Sequence, residues 1–517
     1  MTTARWLWQV YREFERNSII ALNVKCRPRL PISAVTLTVF IMINAAVGCN
    51  SIVEQPEISP ERLAPRSSQS EWSPDPATAR RFQTPRPELL ASRLPPENNN
   101  SARRPNDLNS VIDLALRNNP QTRRAWEVAR AAAANFGAAR SSYYPQASVQ
   151  AANGYQRIPF EVPANIGAVN QWQSEPLASV TYTLLDFGRR RSEAAAAEAQ
   201  LIAANYSFNR KIQRVVFSTE SAFYALDGAM AAVTAAQRNL ALAQTDSEAV
   251  RQRMSLGLAT QPELLLAEER VAQSRFDLAN AHLMVHDAQA DLAVAVGIDA
   301  DSELHIQSLE SLPIPESFSD AVKSLIDRTR RQRPDLAAKA AEQRAAESRV
   351  SLARAQFYPE LDVSGVYGED LWNFTFIRSR TVNTGQPQYA ALITLQWDLF
   401  TGFRRHNDLR RAQADREAAK QDVRALDLDA TAEVWRAYYE FKSSLSKCSY
   451  AQSLIASAQE SYQANSETYR QGLTTIVELL TAERDLANAR YILVRTKAEV
   501  LTAYAAVAYA SGASQSP

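Results

Sequence analysis

The sequence contains an internal duplication that covers most of its 517 residues. Tyr143-Tyr144-Pro145 matches Phe357-Tyr358-Pro359, which lies 214 residues further along the chain. Offsets of 214 or 215 residues also relate shorter motifs, namely Asn119-Pro120 with Arg333-Pro334, Phe223-Tyr224 with Tyr438-Tyr439, and Gly257-Leu258 with Gly472-Leu473. Because this register holds over roughly 170 residues, both halves are expected to fold into the same unit.

Each half predicts the same order of helices and strands. A helix at 120–142 or 334–356 ends before a Tyr-Pro pair, and two strand-like segments follow it. A long helix comes next, at 189–256 or 404–471, and a medium helix follows after a four-residue break. At 1.5 Å per residue, each long helix measures about 100 Å. The short and medium helices together nearly match this length, which predicts a helical wall of uniform height.

The break between the long and medium helices predicts a tight helical hairpin in each half. Gly257 and Gly472 fit the left-handed position that ends a helix. Thr260 with Glu263, and Thr475 with Glu478, read as capping boxes that begin the next helix. One helix therefore stops and an antiparallel helix starts within four residues.

Four segments alternate polar and apolar residues as half-buried strands do: 145–155, 174–187, 359–369 and 388–400. Their length suits a tilted transmembrane β-strand. The polar stretches 156–173 and 371–387 between paired strands are predicted to be extracellular loops. Four strands cannot close a barrel, and lipid tolerates no open sheet edge, so several chains must contribute. Three chains would supply twelve strands.

The N-terminal region has the layout of a secretory signal. Basic residues precede an apolar run at 32–48, which ends with small residues before Cys49. This ending resembles a lipobox and predicts a lipidated Cys49, with residues 1–49 as signal peptide; an uncleaved anchor helix is the alternative. Residues 50–106 are rich in Pro, Ser, Arg and Asn and predict a flexible linker.

Composition and motifs exclude several classes of function. A net charge of +1 without a basic stripe argues against a nucleic-acid partner. His282 and His286 have metal-ligand spacing but no third ligand nearby, which favours a solvated helix face. Cys448 reads as a buried thiol. We find no phosphate-binding loop or nucleophile elbow, and we predict no catalytic residue, cofactor or metal.

These motifs resemble the TolC family of outer-membrane efflux proteins over about 107–512. The resemblance rests on the Asn-Pro helix start, the Tyr-Pro strand entry, the strand-to-helix junction at Leu185-Asp186-Phe187-Gly188, and the Gly-Leu-x-Thr turn. It implies an α+β membrane protein: a homotrimer with a 12-stranded β-barrel, four strands per chain, continued by an α-helical coiled-coil tunnel. The implied division is 107–299 as repeat 1, 300–333 as equatorial connection, 334–512 as repeat 2 and 513–517 as tail.

The resemblance also implies partners and site residues. A periplasmic membrane-fusion adaptor would contact the hairpin tips, and an inner-membrane pump of the RND or ABC type would feed the duct. The implied contact residues are the eight tip positions Leu256, Gly257, Leu258, Thr260, Gln471, Gly472, Leu473 and Thr475. Tyr469 and Glu478 match the family's gate, although Glu478 also fits a pure capping role. Outer-membrane lipid would surround the barrel, and a lipid such as palmitate would modify Cys49.

Two alternatives remain open from the sequence. A non-transport periplasmic coiled-coil scaffold would explain the helices but not the strands or the leader. Within the family, the duct could serve a tripartite efflux system or type I protein secretion. The cargo could be drugs, metal ions or proteins, and nothing in the sequence separates these.

Overall fold

The computed structural model describes residues 106–162, 165–300, 302, 304–308, 321–375 and 381–513, together with 67, 69, 72 and 73. The first half contains α1 (Leu108–Asn118), α2 (Pro120–Ser141), β1 (Gln146–Val162), β2 (Asn165–Leu185), α3 (Arg189–Ser255) and α4 (Gln261–Val296). The second half contains α5 (Val322–Gln332), α6 (Pro334–Ala355), β3 (Glu360–Thr375), β4 (Thr381–Gln396), α7 (Arg404–Arg470) and α8 (Ile476–Ser511). The predicted signal peptide with Cys49, and most of the predicted linker, lie outside the described residues.

The helix boundaries follow the motifs that predicted them. Both long helices begin at an arginine after a residue in the left-handed conformation, Gly188 or Phe403. The described residues of the segment 300–333, which was predicted as a connection, include a further helix, α5. Because α5 lies 214 residues after α1, it is the counterpart of α1 in the second half. Both are short and amphipathic, and both precede a helix that starts with proline.

All four strands form one antiparallel sheet in the order β1-β2-β3-β4. The pairing of β2 with β3 joins the two halves. The strands are longer than predicted, because β1 continues to Val162 and β2 begins at Asn165. Most of 156–173 and 371–387 is therefore paired strand, and the prediction that these stretches are loops was wrong. The backbone pairing continues through them, with Gln156 opposite Gln171 and Leu371 opposite Gly385.

The helices form two antiparallel hairpins, hairpin 1 from α3 and α4 and hairpin 2 from α7 and α8. Helix α3 also contacts α1, α2, α6 and α8, so that it is packed on several sides. Among the described elements, helix α7 has extensive contacts with α5, α6 and α8 only. No helix in the described part of the chain is long and apolar enough to cross a membrane.

The C-terminal ends of α4 and α8 pack against equivalent helix starts in the two halves. Gly297 follows α4 at φ +83°, and a Cβ there would lie 2.7 Å from the Cα of Asn119. Gly512 follows α8 at φ +78°, and a Cβ there would lie 3.0 Å from the Cα of Arg333. Asn119 donates its side-chain amide to the Ala295 carbonyl at 2.8 Å. Glycine is required here by both conformation and space.

A partly buried ion cluster contacts the end of α8. Arg333 pairs with Asp335 at 2.9 Å and Glu433 at 2.6 Å, and it donates to the carbonyl of Ala510. Arg210 of α3 donates to the carbonyl of Tyr509 at 2.8 Å and lies 3.7 Å from that ring's centre. The two guanidinium groups supply positive charge where a helix C-terminus carries partial negative charge.

Trp72, in the segment predicted to be a flexible linker, packs against α3. The backbone N–H of Trp72 donates to the side-chain oxygen of Asn209 at 2.8 Å, and the Asn209 side-chain amide donates back to the Trp72 backbone carbonyl at 2.6 Å. The indole ring meets Tyr206 edge to face at 5.4 Å. Asn209 is fully buried on α3, so the contact satisfies a polar group that would otherwise be costly. At the end of the same segment, Asn106 bridges to Ile306.

The helix-end contact predicts unequal effects of two glycine substitutions. Gly297→Ala and Gly257→Ala both place a side chain at positive φ, but only the first meets backbone atoms. We expect Gly297→Ala to be less stable than Gly257→Ala by about 1–3 kcal/mol, the usual cost of overpacking. Thermal unfolding followed by circular dichroism in detergent measures this. Equal stability of the two variants would contradict the contact.

Candidate functional site

The candidate site is the tip of the molecule, where both hairpins turn. Gly257 and Gly472 have φ values of +72° and +75°, as a left-handed helix end requires. The N–H of Leu258 donates to the carbonyl of Arg253 at 2.8 Å, and that of Leu473 donates to Thr468 at 2.9 Å. The two turns therefore have the same backbone geometry.

Capping boxes begin the second helix of each hairpin, as predicted. The N–H of Thr260 donates to Glu263 at 2.9 Å, and that of Thr475 donates to Glu478 at 3.0 Å. Glu478 in turn donates its N–H to the Thr475 hydroxyl at 3.4 Å. Glu478 is exposed, so its carboxylate caps the helix while it remains in contact with solvent.

Apolar side chains project from both turns. Leu256, Leu258 and Leu473 are 74%, 63% and 72% exposed. The remaining predicted contact residues, Thr260, Gln471 and Thr475, are exposed as well. An exposed leucine at a tight turn contributes little to the turn itself, so these side chains are available to a partner.

Contacts between the hairpins hold the two turns together. Arg253 of hairpin 1 donates to the carbonyls of Tyr469 and Arg470 of hairpin 2, both at 3.1 Å. Its guanidinium group also lies 4.8 Å from the centre of the Tyr469 ring. Tyr469 packs in a buried cluster whose other buried members are Val250, Leu264, Ala267, Ile476 and Leu479. The Tyr469 side chain therefore lies between the hairpins within one chain.

A second layer of contacts lies above this cluster, and the sequence did not indicate it. The Tyr462 hydroxyl donates to both carboxylate oxygens of Asp246, at 2.9 and 3.1 Å. Arg270 pairs with Glu483 at 3.1 Å. Glu483 is 1% exposed, and its repeat counterpart Glu268 is exposed and pairs with Arg251. Both glutamates belong to the same Ala-Glu motif, so the motif alone could not distinguish their environments.

The histidines predicted to be solvated, His282 and His286, are exposed on α4. Within the described residues, no group of three or more His, Cys, Asp or Glu side chains is placed to hold a metal ion. Cys448 is buried in the core of hairpin 2, with Val434, Phe441 and Val500 in the same cluster.

Comparison with known proteins identifies relatives of the chain over most of its length. The family described as outer membrane efflux protein matches residues 111–298 and again 325–513. Protein CyaE of Bordetella pertussis is 26% identical over 412 residues, which cover 78% of this chain and 83% of that protein. Outer membrane protein TolC of Vibrio cholerae is 22% identical and is covered to 87%.

Solved structures share the fold. The outer membrane protein VceC of Vibrio cholerae superimposes with a TM-score of 0.68 at 21% identity, covering 78% of this chain and 96% of VceC. CusC superimposes with a TM-score of 0.68 at 20% identity, covering 79% of this chain and 92% of CusC. The two family matches begin at equivalent positions of the duplicated halves. The chain therefore belongs to the outer membrane efflux protein family, and its function is that of an outer-membrane channel.

Proposed function

We propose that three copies of this chain form an outer-membrane exit duct, which carries cargo from a periplasmic adaptor and an inner-membrane pump to the outside. Three four-stranded sheets would close into one 12-stranded barrel, and the helices would continue it as a tunnel. The sheet supports this, because β1 and β4 each have one partner strand in the described chain. A sheet edge in lipid must be paired, and strands of neighbouring copies can pair it.

The observation that carries the proposal is the unequal burial of equivalent helix faces. Tyr224 on α3 is 2% exposed, whereas its counterpart on α7, Tyr439, is 45% exposed. Other α7 residues on exposed positions have buried counterparts on α3, namely Leu428 for Gln213, Trp435 for Glu220 and Tyr450 for Ala235. Helix α3 is covered by α6 and α8 of the second half. Helix α7 exposes aromatic residues where α3 is covered.

The complementary face lies on α4, the counterpart of α8. Tyr509 of α8 stacks on Phe217 of α3 with ring centres 5.0 Å apart. Its counterpart on α4, Val294, is 72% exposed, and Leu283 on the same helix is also exposed. Within one chain, α8 packs on α3. If α4 of one copy packs on α7 of the next copy in the same way, every half-chain has equivalent neighbours. Such head-to-tail contacts form a ring when the rotation closes.

The repeat equivalence predicts one specific contact between chains. A Cβ on Gly228 would lie 3.0 Å from the Cβ of Ala498 in the α3–α8 contact. Their counterparts are Ser443 on α7 and Leu283 on α4, both exposed in the single chain. In a Cys448→Ala background, we expect Leu283→Cys with Ser443→Cys to form disulfides between chains, because a shift of about 0.5 Å brings such Cβ atoms into the range that a disulfide spans. Non-reducing gels should show linked dimers and trimers.

Matched variants make this experiment decisive. Gly228→Cys with Ala498→Cys should form a disulfide within one chain and leave its mass on the gel unchanged. The single variants Leu283→Cys and Ser443→Cys should each give no ladder of linked dimers and trimers. If the double variant gives no linked chains while the intrachain control is oxidised, α4 and α7 do not meet in the assembly, and the proposed ring is wrong.

We further propose that the tip turns dock the adaptor. Three chains would offer six similar turns, each with an exposed leucine, which suits a six-fold adaptor ring.

Tyr469 and Glu478 are proposed to act at the gate by different means. Tyr469 would hold the hairpins together through Arg253, and Glu478 would place a carboxylate ring at the mouth. Like charges near one axis attract cations and repel anions.

Substitution of the tip leucines tests the docking proposal. Leu258→Asp combined with Leu473→Asp should reduce export in the native bacterium by about tenfold or more, because an unpaired carboxylate buried at an interface costs about 2–5 kcal/mol. The matched control, Leu258→Met with Leu473→Met, keeps the surface apolar and should retain export. The disulfide ladder confirms that both variants still assemble. Full export by the Asp variant would show that the turns do not form the contact.

We propose that Cys49 carries the lipid anchor after removal of the signal peptide, on the evidence of the apolar run and small residues before it.

The cargo is proposed to be a small molecule. Relatives at comparable identity include a pyoverdine export outer membrane protein of Pseudomonas putida and a probable efflux pump outer membrane protein from the same species. A scaffold function is disfavoured, because it gives no role to a sheet with long strands.

A further inference from the structure

A buried carboxylate lies in the contact between the two hairpins, one layer above the tip. Glu483 on α8 is 1% exposed, and one of its oxygens accepts from Arg270 of α4 at 3.1 Å. Its other oxygen, Oε2, accepts no hydrogen bond from the residues that the structure describes. An ionised carboxylate satisfied on one side alone is costly to bury.

A second acidic group faces Glu483 from the opposite hairpin. Asp246 on α3 is 7% exposed and accepts from the Tyr462 hydroxyl of α7. The groups that face Glu483 are therefore Arg270 from α4, Asp246 from α3 and Tyr462 from α7. Arg270 pairs with Glu483, whereas Asp246 is attracted by Arg470. Both hydrogen bonds, Arg270 to Glu483 and Tyr462 to Asp246, join hairpin 1 to hairpin 2.

Ionisation of this group opposes the packing of the hairpins. Burial raises the pKa of Glu483 from its ordinary value of 4.5 to about 7, with Asp246 adding to the rise and Arg270 opposing it. Burial also raises the pKa of Asp246. In the packed tip, Glu483 thus keeps its proton at a pH where a hydrated glutamate would lose it.

We propose that Glu483, with Arg270, Asp246 and Tyr462, is a proton-controlled lock between the hairpins, tight when Glu483 is protonated and loosened when it is ionised. This regulation rests on the proposed function, in which the hairpin tips form the closed end of the duct. Separation of the hairpins would hydrate Glu483 and allow it to ionise without cost. Proton release and opening of the tip are then linked.

The direction of the effect follows from the two protonation states. The packed tip binds a proton that the separated tip releases, so packing is favoured at low pH and loses free energy as the pH rises from 4.5 to about 7. Above that range both states are ionised and the dependence ends. The ratio of separated to packed hairpins should rise by up to about tenfold per pH unit within the range. A lock held mainly by the Arg270 ion pair would respond in the opposite direction.

Distance measurements between the hairpins test the lock without any transport assay. Spin labels on Ser255→Cys and Gln471→Cys would report the separation in the full assembly, with labelled chains diluted among unlabelled ones and Cys448 replaced by Ala. We expect longer distances to gain population as the pH rises to about 7. Glu483→Gln should abolish this change and hold the short distance. Asp246→Asn should move it to lower pH, because it removes a neighbouring negative charge.

The repeat supplies a matched control. Glu268→Gln changes the exposed counterpart of Glu483 and should leave the pH response intact. The lock is refuted if the wild-type distances do not depend on pH, or if Glu483→Gln responds as the wild type does. If the distances change with pH but the conductance in planar bilayers does not, the lock is supported. The proposal that the tips form the closed end of the duct would then be wrong. Conductance that varies while the distances stay constant would refute the lock alone.

Discussion

The helical part of the molecule depends on close packing around α3. Five other helices contact it, and the contact with α8 is so close at Gly228 that no larger residue fits without movement of Ala498. Small residues permit this approach, since the distance between helix axes is set by the side chains at the contact. Helices α4, α6 and α8 and the ion cluster of Arg210 and Arg333 all lie against this one helix.

Much of this architecture could be predicted because its boundaries are marked by individual residues. Prolines at the helix starts, glycines at the turns and capping boxes after them each have a local physical reason, which no tertiary contact needs to supply. The strands were predicted too short, since the side chains of β1 that the structure describes, at 146–157, are exposed on both faces within the chain and do not mark where its pairing ends. Alternation of polar and apolar residues reports which side chains are buried and does not report how far the backbone hydrogen bonds extend.

The candidate site was predictable to the same extent and for the same reason. The turns and caps carry motifs, and the structure has them where the motifs stand. Glu483 and Glu268 occupy the same motif, and only the neighbouring hairpin makes one buried and the other exposed. The role of Arg253 likewise depends on carbonyl groups more than 200 positions away. Contacts between the two halves are not marked by a sequence motif in either half.

The unequal exposure of α3 and α7 also bears on how the molecule becomes stable. Helix α3 obtains its partners within its own chain, so its packing does not depend on protein concentration. In the proposed ring, the aromatic face of α7 is covered only when another copy arrives, and its stability therefore follows mass action. The second half of each chain would acquire full protection from hydrogen exchange later than the first. Newly made chains would expose Trp435, Tyr439 and Tyr450 until they assemble.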